Sequence, residues 1–378
     1  LGGGRSLPCL HTPALPVADA PSLVANLPER TRDPFRSPPG RPVARAGLTR
    51  GDFIDDGHLL IPAYDPARRR MVVRLIRLAD GVVVREYLPD TDRFQAEAER
   101  LETAATPVRG IPYWIGHPEL LDDGSIMFKG NYLLVRVDAC GRTMWTRHGF
   151  HHSIERGPEG DLWTAILPAR PHRPAVRPTY RADAIARVTP DGDIAWVKSL
   201  DSIFAENGLE ALIRGGEYSD DPYHLNDVQP VFADGPHWRR GDLFLSLGHQ
   251  AMVVLYRPST GRIVWHRIGP WLAQHDVNVL DDDRISVFDN RISFDGYGNH
   301  VLGHSRELVV DFSTGTIASP WAAAFRRHRI RADSNGRGLA LANGDLVVEE
   351  SNGGEVLRVG PQGKKRWSYV NANGEGAR

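Results

Sequence analysis

A two-part pattern that recurs six times along the chain constrains its fold more than any other feature. The first part, usually an acidic residue or asparagine followed by glycine, opens an alternating apolar run, as in Asp123-Gly124-Ser125-Ile126. The second part is an apolar strand that turns at glycine and often ends in tryptophan, as in the segment that ends at Trp265. The glycines of this second part stand about 50 to 70 residues apart, at positions 81, 141, 192, 261, 315 and 363. That spacing suits a four-stranded blade with its loops, so six copies predict six blades.

The repeat therefore predicts an all-β fold, a six-bladed β-propeller, over residues 51–378. An all-β sandwich also has hairpins at similar spacing, but it gives no reason for one pattern to recur six times. Residues 1–50 are rich in Pro, Arg and Gly without periodicity, so we expect an extended N-terminal arm. Apolar residues at helical spacing predict a short helix around 202–218, and insertions at 168–183 and 290–306 predict rim loops.

Composition excludes several classes of protein. The formal charge is −1 at pH 7, whereas a nucleic-acid-binding surface needs a basic excess, so we expect no nucleic-acid partner. No run approaches the roughly 18 to 20 apolar residues of a membrane span. The two cysteines, Cys9 and Cys140, argue against a thiolate metal site and leave one disulfide open. The chain begins at Leu1 without a recognisable signal segment, so these residues assign neither a compartment nor an oligomeric state.

Histidines recur where the blades begin. In a propeller the innermost strand of each blade starts at the central channel, so polar residues at these starts converge there. A single histidine is more often structural, but fold stability does not require imidazoles at equivalent positions of consecutive repeats. The blade starts therefore predict a functional channel. They are Gly116-His117-Pro118, His151-His152-Ser153-Ile154-Glu155, His224-Leu225-Asn226-Asp227-Val228, Gln274-His275-Asp276-Val277 and Asp333-Ser334-Asn335-Gly336-Arg337.

Longer motifs around these positions resemble the arylsulfotransferase family of bacterial propellers. The resemblance covers roughly residues 110–370 and lies in the order of the motifs. They are FHHSIE at 150–155, HLNDVQPV at 224–231, GDLFLSLGHQAMVVLY at 241–256, PWLAQHDVNVLDDDRISVFDN at 270–290 and DLVVEESNGGEVLRVGPQGKKRWSY at 345–369. The resemblance implies a soluble enzyme that transfers a sulfuryl group from an aryl sulfate to a phenol without a nucleotide sulfate donor, a cofactor or a metal. It also implies a periplasmic or secreted protein, while a cytoplasmic one stays open.

The resemblance implies roles for the matching residues. His275 matches the nucleophile that becomes transiently sulfated, and His224 and Asn226 match residues that hold the sulfuryl oxygens and assist the leaving phenol. His152, or its neighbour His151, matches a further channel histidine. We expect additional substrate contacts from His249, Asn335 and Arg337.

The chemistry suits these residue types. Sulfuryl transfer resembles phosphoryl transfer, which depends on in-line positioning and on hydrogen bonds to equatorial oxygens that gather charge. A neutral imidazole is a competent nucleophile near pH 7, and a protonated one gives its proton to a phenolate. The amide of Asn226 offers two N–H donors that stay uncharged at any pH.

One position departs from the family pattern. The strand after the HxN motif usually carries an arginine, and Gly248 stands in its place. Loss of such a cation costs on the order of 2.7 to 4 kcal/mol in comparable oxyanion sites. His249 takes over this role only if a bulge at Gly248 turns it to the same face, because alternate residues of a strand otherwise face opposite ways.

Two other hypotheses stay open. A metal-dependent propeller enzyme would use His152, His224 and His275 with Asp227 or Asp276 nearby. A propeller that binds a ligand or a protein without chemistry is favoured by Gly248. A repurposed enzyme, metal-dependent or lyase-like, would act on a small aromatic or anionic molecule.

Overall fold

The computed structural model describes residues 23–24, 46–51, 53–168, 177–295 and 298–371. Two strands come from the N-terminal part of the chain: β1 (Leu23–Val24) and β2 (Gly47–Arg50). Within these ranges the strands together form six consecutive sheets of four or five strands and one separate two-stranded sheet, so the predicted six-bladed propeller is confirmed.

Each blade follows the order of the sequence from the channel outward. The first blade contains β1, β3 (His58–Asp65), β4 (Arg70–Arg77) and β5 (Val83–Tyr87). The second contains β6 (Gly116–Leu120), β7 (Ile126–Gly130), β8 (Leu133–Val137) and β9 (Thr143–His148). The third contains β10 (Phe150–Arg156), β11 (Leu162–Ile166), β12 (Ala184–Val188) and β13 (Ile194–Ser199).

The second half of the chain repeats this order. The fourth blade contains β14 (Leu225–Pro230), β15 (Leu243–Leu247), β16 (Met252–Arg257) and β17 (Arg262–Ile268). The fifth contains β18 (Val277–Val279) and β19 (Arg284–Asp289), then a separate hairpin of β20 (Ile292–Asp295) and β21 (Gly298–Val301), then β22 (Arg306–Asp311) and β23 (Ile317–Ala318). The sixth contains β24 (Arg337–Ala340), β25 (Leu346–Glu350), β26 (Glu355–Val359) and β27 (Lys365–Val370).

The N-terminal strands join the blades at both ends of the chain. β2, from the segment that the sequence analysis assigns to the arm, pairs antiparallel with β27 and becomes the outermost strand of the sixth blade. β1 pairs parallel with β3 in the first blade. Because β2 comes from one end of the chain and β27 from the other, their pairing closes the ring of blades.

Short helices fill the connections. They are α1 (Thr91–Leu101), α2 (Leu200–Glu206), α3 (Glu210–Arg214) and α4 (Ala322–His328), with a 3₁₀ turn at Ser351–Gly353. The segment around 202–218, expected to form one short helix, contains α2 and α3. The insertion at 290–306 forms the β20–β21 hairpin. Within the insertion at 168–183, positions 169–176 lie outside the described residues.

One glycine and one tryptophan of the repeat pack the third blade on the second. Gly192 turns with φ of 84°, and a Cβ there would lie 2.8 Å from the indole of Trp145 in the preceding blade. The same indole donates its N–H to the carbonyl of Pro190 at 3.0 Å. Only glycine combines this left-handed backbone with so close an approach, so Gly192 and Trp145 fix the packing of the third blade on the second.

Candidate active site

The inner strands of the second, third and fourth blades begin with β-bulges. The registers of these strands shift between Gly116 and Glu119, between His151 and Ile154, and between Leu225 and Asp227. A bulge adds a residue and re-aims its side chain. The bulged segments contain His117, His152 and Asn226, and these three side chains line one cavity in the channel.

Left-handed backbone accompanies the bulges. His117, His152 and His224 have φ of 48°, 57° and 51°. Asn335, at the start of the sixth blade, has φ of 53°. A non-glycine residue in this region costs roughly 1 to 2 kcal/mol. Such strain, repeated at equivalent positions of several blades, is typical of functional sites.

The channel cavity, as we call this space, is small and polar. It has a volume of about 10 Å³, which is the space of about one water molecule. Its lining residues are His117, His152, Ser153, Asn226, Asp227, His275, Asp276, Asn335, Gly336 and Arg337. The structure thus brings His152, Asn226, His275, Asn335 and Arg337 together, although His152 and His275 are 123 positions apart.

The ring of His275 is held in one tautomer. Its Nδ1 lies 2.8 Å from Asn290 Oδ1 and 3.1 Å from the carbonyl of Ala273. The amide nitrogen of Asn290 donates to two backbone carbonyls, so its oxygen is the atom that faces His275. Nδ1 therefore carries the proton. The lone pair of Nε2 accepts the backbone N–H of Asn335 at 3.0 Å.

Burial keeps His275 neutral at pH 7. Desolvation and the positive charge of His224 lower the pKa of His275 to about 4, although its hydrogen bonds to Asn290 and Ala273 act in the opposite direction. Burial also lowers the pKa of His152 well below its ordinary value, and repulsion from His224 and His151 adds to the effect. Both rings are thus uncharged imidazoles.

His224 lies between an acid and two other imidazoles. Its Nδ1 is 2.6 Å from Asp221 Oδ2, its ring stacks on His249 at 4.2 Å, and it meets His152 edge-on at 4.8 Å between centroids. Burial by itself raises the pKa of Asp221, but the hydrogen bond and charge of His224 and the charge of Arg181 outweigh it and lower that pKa. Asp221 is therefore a carboxylate that orients His224.

Gly248 follows β15 and adjoins this group. A Cβ on Gly248 would lie 2.5 Å from Asn226 Nδ2 and 3.5 Å from His224 Cδ2, so a side chain here would point at both residues. His249 is not on the strand but in the turn after it, where its Nδ1 contacts the carbonyl of Asp221 at 2.7 Å. Its side chain is 33% exposed, which places it at the edge of the site.

The side-chain amide of Asn226 makes only part of its possible hydrogen bonds. Its Nδ2 donates to the carbonyl of Gln274 at 2.8 Å. Within the described residues, its buried Oδ1 has no hydrogen-bond partner. An unpaired buried polar atom costs about 1 to 3 kcal/mol, so this amide is available to a ligand in the channel cavity.

His151 points away from the channel cavity. It lines a second space, here called the side cavity, of about 70 Å³ between the second and third blades. The other lining residues are Pro107, Val108, Ile111, Trp114, Lys129, Gly130, Asn131, Tyr132 and Phe150. His151 Nε2 lies 3.4 Å from Asp183 Oδ1, within ion-pair distance. The geometry is not that of a hydrogen bond, and burial keeps the pKa of His151 low, so we treat the contact as a weak dipolar one.

A carboxylate layer lies beside the imidazoles. The guanidinium of Arg337 donates to Glu155 Oε1 at 2.6 Å and to Asp276 Oδ1 at 3.1 Å, and it contacts His117 Nδ1 at 3.3 Å. Burial, and then the charge of Asp276, raise the pKa of Asp227 to about 7. Burial raises the pKa of Glu155 well above its ordinary value against the pull of Arg337. Arg337 is a cation in the channel, but carboxylates already surround it.

The predicted metal-binding trio does not form a compact ligand set. Among the described residues, two groups place three ligand atoms within 4.8 Å of one another: Asp221, His224 and His249, and Glu155, Asp227 and Asp276. In the first group the histidine Nδ1 atoms are hydrogen-bonded to Asp221. In the second group Arg337 bonds two of the acids. Hydrogen bonds within the protein account for both groups.

The sequence analysis missed several residues of the site. Asp221 and Asn290 orient the two central histidines, yet neither lies in a blade-start segment. Lys129, 2% exposed, lies opposite Gly116 in the ladder of β6 and β7. As one of four lysines in an arginine-rich chain it could have been noticed, because its strand is otherwise apolar.

The structure is that of a six-bladed propeller whose channel contains a cluster of histidines. The chain belongs to the arylsulfotransferase (ASST) family, whose model matches residues 117–372. It is thus a sulfotransferase-like propeller, and membership implies small aromatic substrates. No curated protein matches the sequence. In the described ranges no helix has the length and hydropathy of a membrane-spanning segment.

Solved structures resemble the chain in fold. A protein of unknown function from Bacteroides caccae has a TM-score of 0.51 at 14% identity, covering 83% of this chain and 94% of that one. A streptogramin B lyase has a TM-score of 0.42 at 12% identity, with 86% and 88% covered. Virginiamycin B lyase from Staphylococcus aureus, in an inactive variant with quinupristin, has a TM-score of 0.42 at 13% identity, with 86% and 89% covered.

Proposed function

We propose that this protein transfers a sulfuryl group from an aryl sulfate to a phenol, with His275 as the nucleophile. The observation that carries the proposal is the state of His275. It is a neutral imidazole whose protonated Nδ1 is held by Asn290, and its Nε2 lies at a cavity that His152 and Asn226 also line. A nucleophile oriented by a hydrogen bond at its other nitrogen is the arrangement that covalent catalysis needs.

The first half-reaction forms a sulfohistidine. The lone pair of His275 Nε2 attacks sulfur, the bond between sulfur and the aryl oxygen breaks, and the departing oxygen takes a proton from protonated His224. The hydrogen bond from the Asn335 N–H to Nε2 must open for this attack. Because the channel cavity holds only about 10 Å³, side chains must also move as the sulfuryl group enters.

The second half-reaction restores the enzyme. His224, now neutral, takes the proton of the acceptor phenol, whose oxygen attacks sulfur as the bond from sulfur to Nε2 breaks. Asp221 keeps the His224 ring in one orientation through both steps. Asn226 donates to the sulfuryl oxygens once its amide leaves the Gln274 carbonyl.

The charge that develops in the transition state calls for a cation nearby. The family pattern has an arginine at the position that Gly248 occupies after β15, so this chain lacks that cation. Arg337 is the alternative, since it lines the channel cavity. Its bonds to Glu155 and Asp276 reduce the charge that it offers, so we expect slow turnover compared with an enzyme that has a dedicated cation.

The test is direct detection of the covalent intermediate. The protein is incubated with 4-nitrophenyl sulfate, and intact mass and peptide mapping locate any sulfuryl adduct. We expect one adduct on His275, and neither adduct nor turnover in His275→Ala. The matched control is His237→Ala, because His237 forms a comparable pair with Asp283 at 3.0 Å beyond the other end of β14. Turnover without an adduct, or an adduct elsewhere, contradicts the proposal.

A further inference from the structure

We propose that the side cavity binds the ring of an aromatic substrate that carries an anionic substituent, with Lys129 and His151 as the groups that recognise it. This inference rests on the proposed function for its place in sulfuryl transfer, because it names the substrate that the site selects. The binding event itself is measurable without any transfer.

The walls of the side cavity suit an aromatic ring. Trp114, Tyr132 and Phe150 contribute aromatic surface, and Val108 and Ile111 contribute aliphatic surface. Aromatic pairs gain about 0.5 to 1.5 kcal/mol beyond the area that they bury. The volume of about 70 Å³ is several times that of the channel cavity. It is smaller than the roughly 150 Å³ that encloses benzene, so we expect one edge of the ring to enter.

The charge of the side cavity favours an anion. Among the described lining residues Lys129 is a cation and none is a carboxylate. The Nζ of Lys129 lies 4.6 Å from the centre of the Trp114 ring, at the aromatic wall. The channel cavity, in contrast, has Asp227 and Asp276 in its lining, and its cation, Arg337, is already bonded to Asp276 and Glu155. An aromatic anion therefore gains charge complementarity in the side cavity that it would lack beside those acids.

His151 supplies the independent sign of a ligand. The residue is 3% exposed, and within the described residues neither of its ring nitrogens has a hydrogen-bond partner. Leaving a buried donor unpaired costs about 1 to 3 kcal/mol. A ligand oxygen in the side cavity would accept the N–H of the neutral ring and remove this cost.

The side cavity adjoins the reacting centre. The rings of His151 and His152 are 4.8 Å apart, edge to face, and His152 lines the channel cavity. One pair of imidazoles thus separates the two spaces. A ring held by the side cavity is close enough to set which phenol reaches the sulfuryl site.

The experiment compares two phenols of similar shape and different charge. Calorimetric titration measures the Kd of 4-hydroxybenzoate and of 4-cresol, in which a methyl group replaces the carboxylate. We expect the unmodified protein to bind 4-hydroxybenzoate at least about tenfold more tightly, the equivalent of one charge-assisted hydrogen bond. Lys129→Met should remove this preference while cresol binding stays the same. The matched control is Lys198→Met, because Lys198 pairs with Glu206 on the outside of the third blade.

A second variant covers the case in which Lys129→Met does not fold. Trp114→Leu should weaken both phenols by a similar factor, since it removes the aromatic wall and leaves the cation. Equal affinity for the two phenols, or a preference that survives Lys129→Met, overturns the inference. An adduct on His275 together with equal affinities leaves the proposed function intact and rejects the side cavity alone. Tighter binding of 4-hydroxybenzoate without any adduct on His275 supports the side cavity and rejects the proposed sulfuryl transfer.

Discussion

The imidazoles and the carboxylates of the channel lie on the same inner strands, yet they differ in how their polar atoms are satisfied. Within the described residues, His152 Nε2 and Asn226 Oδ1 are buried without hydrogen-bond partners. In the carboxylate layer, Asp276 accepts from Arg337 and Asn278, and Asp227 accepts from the backbone of Val228 and Val277. Because native proteins rarely leave buried polar atoms unpaired, we expect the imidazoles to form the ligand-binding side and the carboxylates to hold the blades together.

The strongest test of this division is Arg337→Met. The substitution leaves Glu155, Asp227 and Asp276 without their shared cation, and breaking one side of a buried charge network costs about 3 to 5 kcal/mol. We expect the free energy of unfolding, measured with urea, to fall by about that amount. Arg337→Lys should recover part of it. A loss of activity at unchanged stability would place Arg337 with the imidazoles instead.

Gly248→Arg tests the imidazole side of the channel, because Gly248 adjoins Asn226 and His224. A cation on the transition-state oxygens is worth roughly a hundredfold in rate in comparable sites, so we expect sulfuryl transfer to rise by about that factor. The new Cβ would meet Asn226 Nδ2 at 2.5 Å, and the amide must therefore shift. Gly248→Ala is the control, because it imposes the same shift without a charge and should lower the rate. If the arginine variant folds well and its rate of sulfuryl transfer does not rise, another cation already stabilises the transition state.

Asp221→Asn tests whether Asp221 acts by positioning His224. We expect a loss of about a hundredfold for phenyl sulfate, the lower end of what general acid catalysis contributes. The loss should be much smaller for 4-nitrophenyl sulfate, because its phenolate leaves without a proton. A merely structural role would affect both donors equally. Rates measured with the two donors, together with thermal melting, separate these outcomes.

The pH dependence of the first half-reaction gives the smallest expected change. His275 must be neutral to attack, and its pKa is lowered to about 4 by burial and by the charge of His224. The rate of adduct formation at saturating 4-nitrophenyl sulfate, whose phenolate leaves without a proton from His224, should therefore stay nearly constant from pH 8 to about pH 5 and fall only as the pH approaches 4. An ordinary histidine would lose activity near pH 6.5. Single-turnover rates across this range, with folding checked at each pH, decide between them.

The six-bladed architecture and most residues of the candidate site could be predicted from the sequence. Six copies of a two-part glycine pattern predicted six blades, because their spacing suits a four-stranded blade with its loops. The recurrence of polar residues at the blade starts predicted that His152, Asn226 and His275 converge on one channel. These signals are local in sequence, so they can be read without coordinates.

The cavity that each side chain faces, and the partner with which each charge pairs, could be seen only in the folded structure. The bulge between His151 and Ile154 turns His152 to the channel and His151 to the side cavity. Strand periodicity cannot assign these directions once a bulge interrupts it. The partners of Arg337 lie 61, 182 and 220 positions away in sequence. Charge pairs of this kind carry no local pattern, because their members come from different blades and meet only in the channel of the folded protein.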